Sequence, residues 1–341
     1  MHMKALRVPG LLAFVSAALS GQIYWTNPVP DCSGVEGPVE ITNSVGALVG
    51  YSCQMTGTFV WLAAGGPSSD TWSSAIRVAA PASNPIGVDY LFYDKNGNGL
   101  RLDTTHGAGT AITSGSEVNF ALNADQPAEI DLLGATSNAP QNYNNTQEGT
   151  VYATFLCPDA LTCRNVLPQL IYSALPSFPW SLSVPIAWDN AVWPQWSAEG
   201  VDNGGSSRVS FAIYNEGTTA TSFNIKVFDG DGSLFASGTT PVIAGLPTLA
   251  DGSYGEAQTF GDLLSNWVQP SLPSGVFKVL FDGGSEDSAV EVLQFTGTSA
   301  TTLQVAYDSP ANSPAESVRR QNARSVRLAS RPRQVFTPWR K

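Results

Sequence analysis

Two stretches 135 residues apart follow one pattern, and that repetition limits the architecture more than any other feature of the chain. Val88 to Leu102 reads V-D-Y-L-F-Y-D-K-N-G-N-G-L-R-L, and Phe223 to Ser237 reads F-N-I-K-V-F-D-G-D-G-S-L-F-A-S. In each, apolar residues alternate with others, a short acidic Gly-containing turn intervenes, and alternation resumes. A period of two puts one set of side chains on one face of a strand. Asp, Asn and Gly between two such runs mark a tight hairpin, because they tolerate the positive φ that the turn requires. In this register Asp94 falls on Asp229 and Gly97 on Gly232. Extended back without a gap, it sets Trp61 on Trp196, Ala63 on Ala198 and Gly65 on Gly200.

The rest of the chain agrees with a repeated β unit. Short apolar runs such as Ala47 to Cys53, Val118 to Leu122, Val151 to Cys157, Val209 to Tyr214, Val276 to Phe281 and Ala289 to Phe295 are separated by turn-prone residues. Helical spacing is missing, apart from a stretch at Leu263 to Val268 that suits one helical turn. Many short strands with frequent turn signals predict an all-β chain of two tandem immunoglobulin-like β-sandwich domains. The expected units are residues 22–180 and 181–309, joined at the proline- and aromatic-rich stretch Ala174 to Ser181. Residues 310–341, with seven arginines and a terminal lysine but almost no apolar periodicity, read as a disordered basic tail.

Charge is unevenly placed. From Ala311 onward there are eight Lys and Arg against the single acid Glu316, which leaves nine basic and 27 acidic residues before it. An acidic body repels phosphates and argues against nucleic acid as a partner. Charged residues are only 13% of the chain, about half the usual share for soluble domains.

The start of the chain points to export. Lys4 and Arg7 precede the apolar run Leu11 to Leu19, and small residues follow at Ser20 and Gly21, the layout of a secretory signal peptide over residues 1–21. The run is too short to span a bilayer, and no later segment is a transmembrane candidate. A secreted or periplasmic location permits disulfides. Of three pairings open to Cys32, Cys53, Cys157 and Cys163, the short C-P-D-A-L-T-C loop favours Cys157 with Cys163, leaving Cys32 with Cys53.

The stretch Arg208 to Gly232 (R-V-S-F-A-I-Y-N-E-G-T-T-A-T-S-F-N-I-K-V-F-D-G-D-G) resembles bacterial extracellular immunoglobulin-like modules of the CARDB type, through Asn215, Gly217, Asp229 and Gly232. In the first unit Ala80-Pro81-Ala82 stands in place of Asn-Glu-Gly. The resemblance implies a sandwich with an extracellular accessory role, and it brings no catalytic residues.

Three chemistries compete with a purely structural reading. The turn from Asp94 fits the opening of an EF-hand loop, so a weak Ca²⁺ site would use Asp94, Asn96, Asn98 and Asp103; Thr105 stands where that loop needs a bidentate Glu. Trp180, Trp188, Trp193 and Trp196 fall close together and could offer flat faces to sugar rings, although the same residues suit a core. Catalysis has little support: His106 is the one histidine beyond the leader, and G-x-S-x-G and H-E-x-x-H are missing. A glycosidase needs only two carboxylates at the right separation, a pattern that leaves no mark among 27 acids. The expected function is a non-enzymatic adhesion or surface-interaction protein without a cofactor, binding an extracellular protein or polysaccharide. The alternatives are a carbohydrate-binding accessory protein and a hydrolase with hidden paired carboxylates.

Overall fold

A computed structural model describes residues 24–42, 47–66, 71–106, 113–132, 146–175, 178–189, 192–202, 207–248, 255–268, 272–297 and 299–307. The expected leader (1–21) and basic tail (310–341) lie outside the described residues. The chain is all-β. In its first part run β1 (Glu36–Thr42), β2 (Leu48–Ala64), β3 (Thr71–Ala79), β4 (Ile86–Asp94), β5 (Leu102–His106), β6 (Thr113–Gly115), β7 (Glu117–Leu122), β8 (Pro127–Leu132), β9 (Gln147–Cys157), β10 (Gln169–Leu175), β11 (Phe178–Pro185) and β12 (Ala187–Trp188). The remainder holds β13 (Gln195–Asp202), β14 (Ser207–Asn215), β15 (Asn224–Phe228), β16 (Leu234–Thr239), β17 (Thr259–Leu263), β18 (Gly275–Asp282), β19 (Ser288–Thr296), β20 (Ser299–Leu303) and β21 (Val305–Tyr307). The helical turn expected near Leu263 is a 3₁₀ turn at Leu264–Asn266.

The strands form four sheets. Two run β1-β2-β9-β4-β7 and β11-β10-β3-β8-β5-β6; the other two run β21-β13-β18-β15-β16 and β20-β19-β14-β17. Exchange β2 for β13, β3 for β14, β4 for β15, β7 for β16, β8 for β17, β9 for β18, β10 for β19 and β11 for β20, and the second pair of sheets reproduces the order of the first. Alternation explains the interiors. Val88, Tyr90 and Phe92 of β4 meet Phe120 of β7 and Phe155 of β9 in one core. Phe277, Val279 and Phe281 of β18 meet Phe211 and Ile213 of β14 in another.

Three expectations are modified. The immunoglobulin order sets the first strand beside the second and the seventh beside the sixth. Here β2 and β13, first in their sets, lie beside the sixth strands β9 and β18, while the seventh strands β10 and β19 lie beside β3 and β14. Alternation reports which face a residue takes, not which strand lies alongside, so the sequence carried no signal for this exchange. The stretch expected as a junction contains β11, an antiparallel edge partner of β10 that tolerates Pro179 because its outer side needs no ladder bond. Leu182, Val184 and Ile186 therefore pack into the first core, and the expected boundary at residue 180 falls inside a strand. The Cys157–Cys163 loop also holds a short helix, α1 (Ala160–Arg164), where Asp159 Oδ1 accepts the Thr162 N–H at 2.7 Å as an N-cap.

The disulfides are Cys32–Cys53 and Cys157–Cys163. Cys53 and Cys157 are direct cross-strand partners on β2 and β9, so both links converge on one point of the sheet. One ties down the segment before β1 and the other ties down α1. Among the described residues no helix is long and apolar enough to cross a membrane.

The twin hairpins share their backbone bonding. Asp94 N–H donates to Asn98 O and Gly97 N–H to Asp94 O; Asp229 N–H donates to Ser233 O and Gly232 N–H to Asp229 O. Gly97 and Gly232 have φ of 82° and 85°. Their surroundings differ. A Cβ on Gly97 would lie 2.5 Å from the carbonyl oxygen of Glu256, whereas a Cβ on Gly232 would meet nothing within 4 Å. The first hairpin is docked on the second half of the chain, and the second hairpin is free of such contact. Gly232→Ala should therefore cost about 1 kcal/mol, from the left-handed backbone alone. Gly97→Ala should cost roughly 2–4 kcal/mol, because overpacking is added to that strain. Urea unfolding of the two variants checks this, and equal losses would refute the docking.

Candidate functional site

The docked hairpin belongs to a seam between the two pairs of sheets. At its centre, sheet β17-β14-β19-β20 is covered on both faces. Val209, Phe211 and Ile213 of β14 point into one core, while Ala212 and Tyr214 join Val60 of β2 with Val192, Leu246, Ala257 and Ala289 in a separate cluster. Leu293 of β19 packs with the first core. Small residues permit the approach: Gly261 of β17 lies opposite Ala212, and a Cβ there would come within 2.9 Å of the Trp61 ring. Main-chain bonds close the contact. Thr259 N–H donates to Lys95 O at 3.1 Å, and Thr259 Oγ1 donates to Val60 O at 3.0 Å.

Beside this contact lies a half-open crevice of about 230 Å³. Trp61, Lys95, Asn96 and Glu148 form one wall; Val242, Ile243 and the segment Gln258 to Gly261 form the other. Lys95 Nζ stands 3.9 Å from a Glu148 carboxylate oxygen, so the crevice carries both charges in near balance. Gln258 spends its Oε1 on the Ala244 N–H at 3.0 Å, which orients its carboxamide. The walls thus combine an indole, two carboxamides and a matched ion pair. Such a set can hold a small polar molecule with an apolar face.

One buried acid lies in the same seam. Glu291 of β19 is 5% exposed, and Tyr172 Oη of β10 lies 3.5 Å from its Oε2. Tyr172 also donates to Trp61 O, and a phenol has one hydrogen. Trp61 O and Glu291 Oε2 therefore share that one hydrogen as acceptors, which leaves the carboxyl only weakly bonded from this side. Burial pushes the Glu291 carboxyl up to about 8, and the hydrogen bonds from Tyr172 and the Trp61 N–H oppose this only in part. Burial, followed by the Glu291 charge, raises the Tyr172 phenol well above its ordinary value.

The residues singled out from the sequence are not gathered in one place. Asp94 turns its carboxylate onto its own hairpin: Oδ1 accepts the N–H groups of Asn96 at 2.8 Å and Asn98 at 2.9 Å, and Asn98 Nδ2 donates to Oδ2 at 3.2 Å. Asp103 is buried in β5, in a different sheet from Asp94. Among the described residues no three His, Cys, Asp or Glu side chains converge as a metal site. Trp188 sets its ring 5.7 Å from that of Phe155, edge to face, against the first core. Trp193 and Trp196 pack with the second core, where Trp196 Nε1 donates to the carbonyls of Trp193 and Ser288. The side chains of Trp180 and His106 lie outside the described residues. Two acids do meet: Glu36 Oε1 and Asp189 Oδ2 each lie 2.8 Å from Thr56 Oγ1, and Tyr152 donates to the same Asp189 oxygen at 3.0 Å. Asp189 is buried, and its contacts pin the end of β12 to β2 and β9.

The sequence singled out Trp61 and Lys95 only as parts of the repeat and Asn96 as a possible Ca²⁺ ligand, and it gave no role to Glu148, Gln258 or Glu291. Glu291 had a signal, since it interrupts the apolar run A-V-E-V-L of β19. Its raised pKa has a consequence for stability. Below pH 4.5, its ordinary value, the carboxyl is protonated in both folded and unfolded chains, and its contribution to stability is fully present. As pH rises toward about 8 the unfolded chain sheds the proton and the folded chain holds it, so that contribution is progressively lost. Glu291→Gln should therefore match the parent near pH 4 and exceed it by roughly 3–5 kcal/mol at pH 8. Denaturant unfolding at both pH values measures this, and an equal difference at the two would contradict the assignment. Comparisons with protein-family models, with curated proteins and with solved structures find no match, so the crevice is interpreted from its own chemistry.

Proposed function

We propose that the chain is an exported, non-enzymatic surface-interaction protein, in which a duplicated β-sandwich unit forms one rigid body. The observation that carries this reading is the sheet covered on both faces at the seam. Flexibly tethered domains keep one face of each outer sheet polar, whereas here the outer face of β14 and β19 is itself packed. A rigid body of this kind suits holding a recognition surface at a fixed distance and angle. The repeated strand order supports the duplication. The two disulfides, together with the charged and apolar start of the chain, support an oxidising, extracellular setting. The partner is an extracellular protein or polysaccharide. A carbohydrate-binding accessory role is the second reading, favoured by the indole and carboxamides of the seam crevice.

The test uses the fluorescently labelled full-length mature protein on intact cells of the producing organism and on their isolated extracellular polysaccharide. Saturable binding to either surface, with no cleavage of the polysaccharide during prolonged incubation, is the expected result. Absence of saturable binding to both would remove the interaction reading, and release of soluble sugar would replace it with a hydrolase.

A further inference from the structure

We propose that the seam crevice is a binding site for a single neutral pyranose unit, a reading that rests on the extracellular interaction role above and names its ligand. Size comes first. At about 230 Å³ the space is below the roughly 300–1,000 Å³ of pockets that take drug-sized ligands, so it suits one ring and not a folded chain. Its half-open form leaves an exit for further sugar units.

Charge comes next. Lys95 and Glu148 stand 3.9 Å apart on one wall, so an anion approaching Lys95 meets Glu148, and a cation approaching Glu148 meets Lys95. A neutral ligand escapes both penalties. Hydroxyl groups, each both donor and acceptor, match a wall that offers ammonium hydrogens, carboxylate oxygens and carboxamides side by side. Asn96 lies at the exposed hairpin tip, and the half-buried Gln258 keeps its Nε2 donors after its Oε1 has bonded Ala244. Trp61 supplies an indole surface for the apolar C–H face of a pyranose. The indole is held by Gly261 and by the Val60–Thr259 bond, so it is placed before a ligand arrives.

The two walls come from different halves of the chain, so the site exists only while the hairpin at Asp94 to Gly99 is docked. This gives the docked hairpin a use that the free hairpin at Asp229 does not share.

Saturation-transfer NMR on the full-length mature protein tests the assignment, with methyl glycosides of glucose, galactose, mannose and N-acetylglucosamine as separate probes and methyl glucuronide as the charged comparison. At least one neutral glycoside should receive transfer, strongest at the protons of its C–H face, and methyl glucuronide should bind more weakly. Asn96→Ala removes an exposed carboxamide, and Gln258→Glu keeps the acceptor that holds Ala244 while removing the donors facing the crevice. Each should lower affinity about three- to ten-fold without shifting the melting temperature by more than a few degrees. Three results overturn the proposal: no transfer to any neutral glycoside at millimolar concentration, methyl glucuronide binding as tightly as methyl glucoside, or affinity unchanged in both variants. Saturable surface binding that persists alongside any of these would leave the interaction role standing and move its site elsewhere.

Discussion

The double burial of sheet β17-β14-β19-β20 is the constraint on which the rest of the structure depends. A strand in an ordinary two-layer sandwich gives one face to a core and the other to water. In β14 each alternate residue serves a different interior: Phe211 and Ile213 on one side, Ala212 and Tyr214 on the other. The outer set is small where Trp61 arrives, and that lets an indole from β2 reach the backbone of β17. A half-buried indole contributes roughly 2–3 kcal/mol by area. Without that surface the crevice has no second wall, and the hairpin at Asp94 has nothing to rest on.

Glu291 gives the seam its register. Apolar surfaces slide over one another at little cost, because the hydrophobic effect has no direction. A buried carboxyl is different, since it is satisfied only where Tyr172 and the Trp61 N–H meet it. Displacing one half by a residue would strand it at a cost of about 1–3 kcal/mol. The acid contributes less to the strength of the contact than to the choice of one contact over its neighbours.

Much of the fold was legible. The alternation in Val88 to Tyr93 and in Val276 to Phe281 reports which side chains face inward, and the Asp-Gly turns mark the hairpins. Cys157 and Cys163 were paired by the shortness of their loop. Strand neighbours were not legible, because a period of two says nothing about what lies alongside; that is why the exchange of β2 and β10 relative to the immunoglobulin order came only from the structure. The seam left a partial trace. Ala289-Val290 and Val292-Leu293 put apolar residues on both faces of β19 either side of Glu291, a pattern of burial on both faces. The crevice left none, since Trp61, Lys95, Glu148 and Gln258 are far apart in sequence, the last three are ordinary surface residues by type, and an indole by itself suits a core. Four tryptophans close in sequence were the more conspicuous feature, yet Trp188 packs with one core and Trp193 and Trp196 with another.

The two hairpins show how far a repeat constrains structure. Their main-chain bonds coincide, including the carboxylate that caps each turn from Asp94 or Asp229. Those bonds are local, so they follow from Asp, Gly and the flanking strands wherever the segment is placed. What surrounds the turn is not local. Trp61 and Trp196 occupy corresponding positions, but β2 runs 17 residues and β13 runs eight. The longer strand passes a bulge between Phe59 and Leu62, and Trp61 packs against both its own core and the seam cluster, while Trp196 stays inside the second core. Asn215 makes the same point from the other side. It is fully buried, and its side chain bonds Thr219 O, Ile243 O and the Gly217 N–H, so the Asn-x-Gly signature is loop architecture and not a binding motif. A repeated pattern therefore transmits turns and strand order, while the side chains at matching positions remain free to serve a core in one half and a contact in the other.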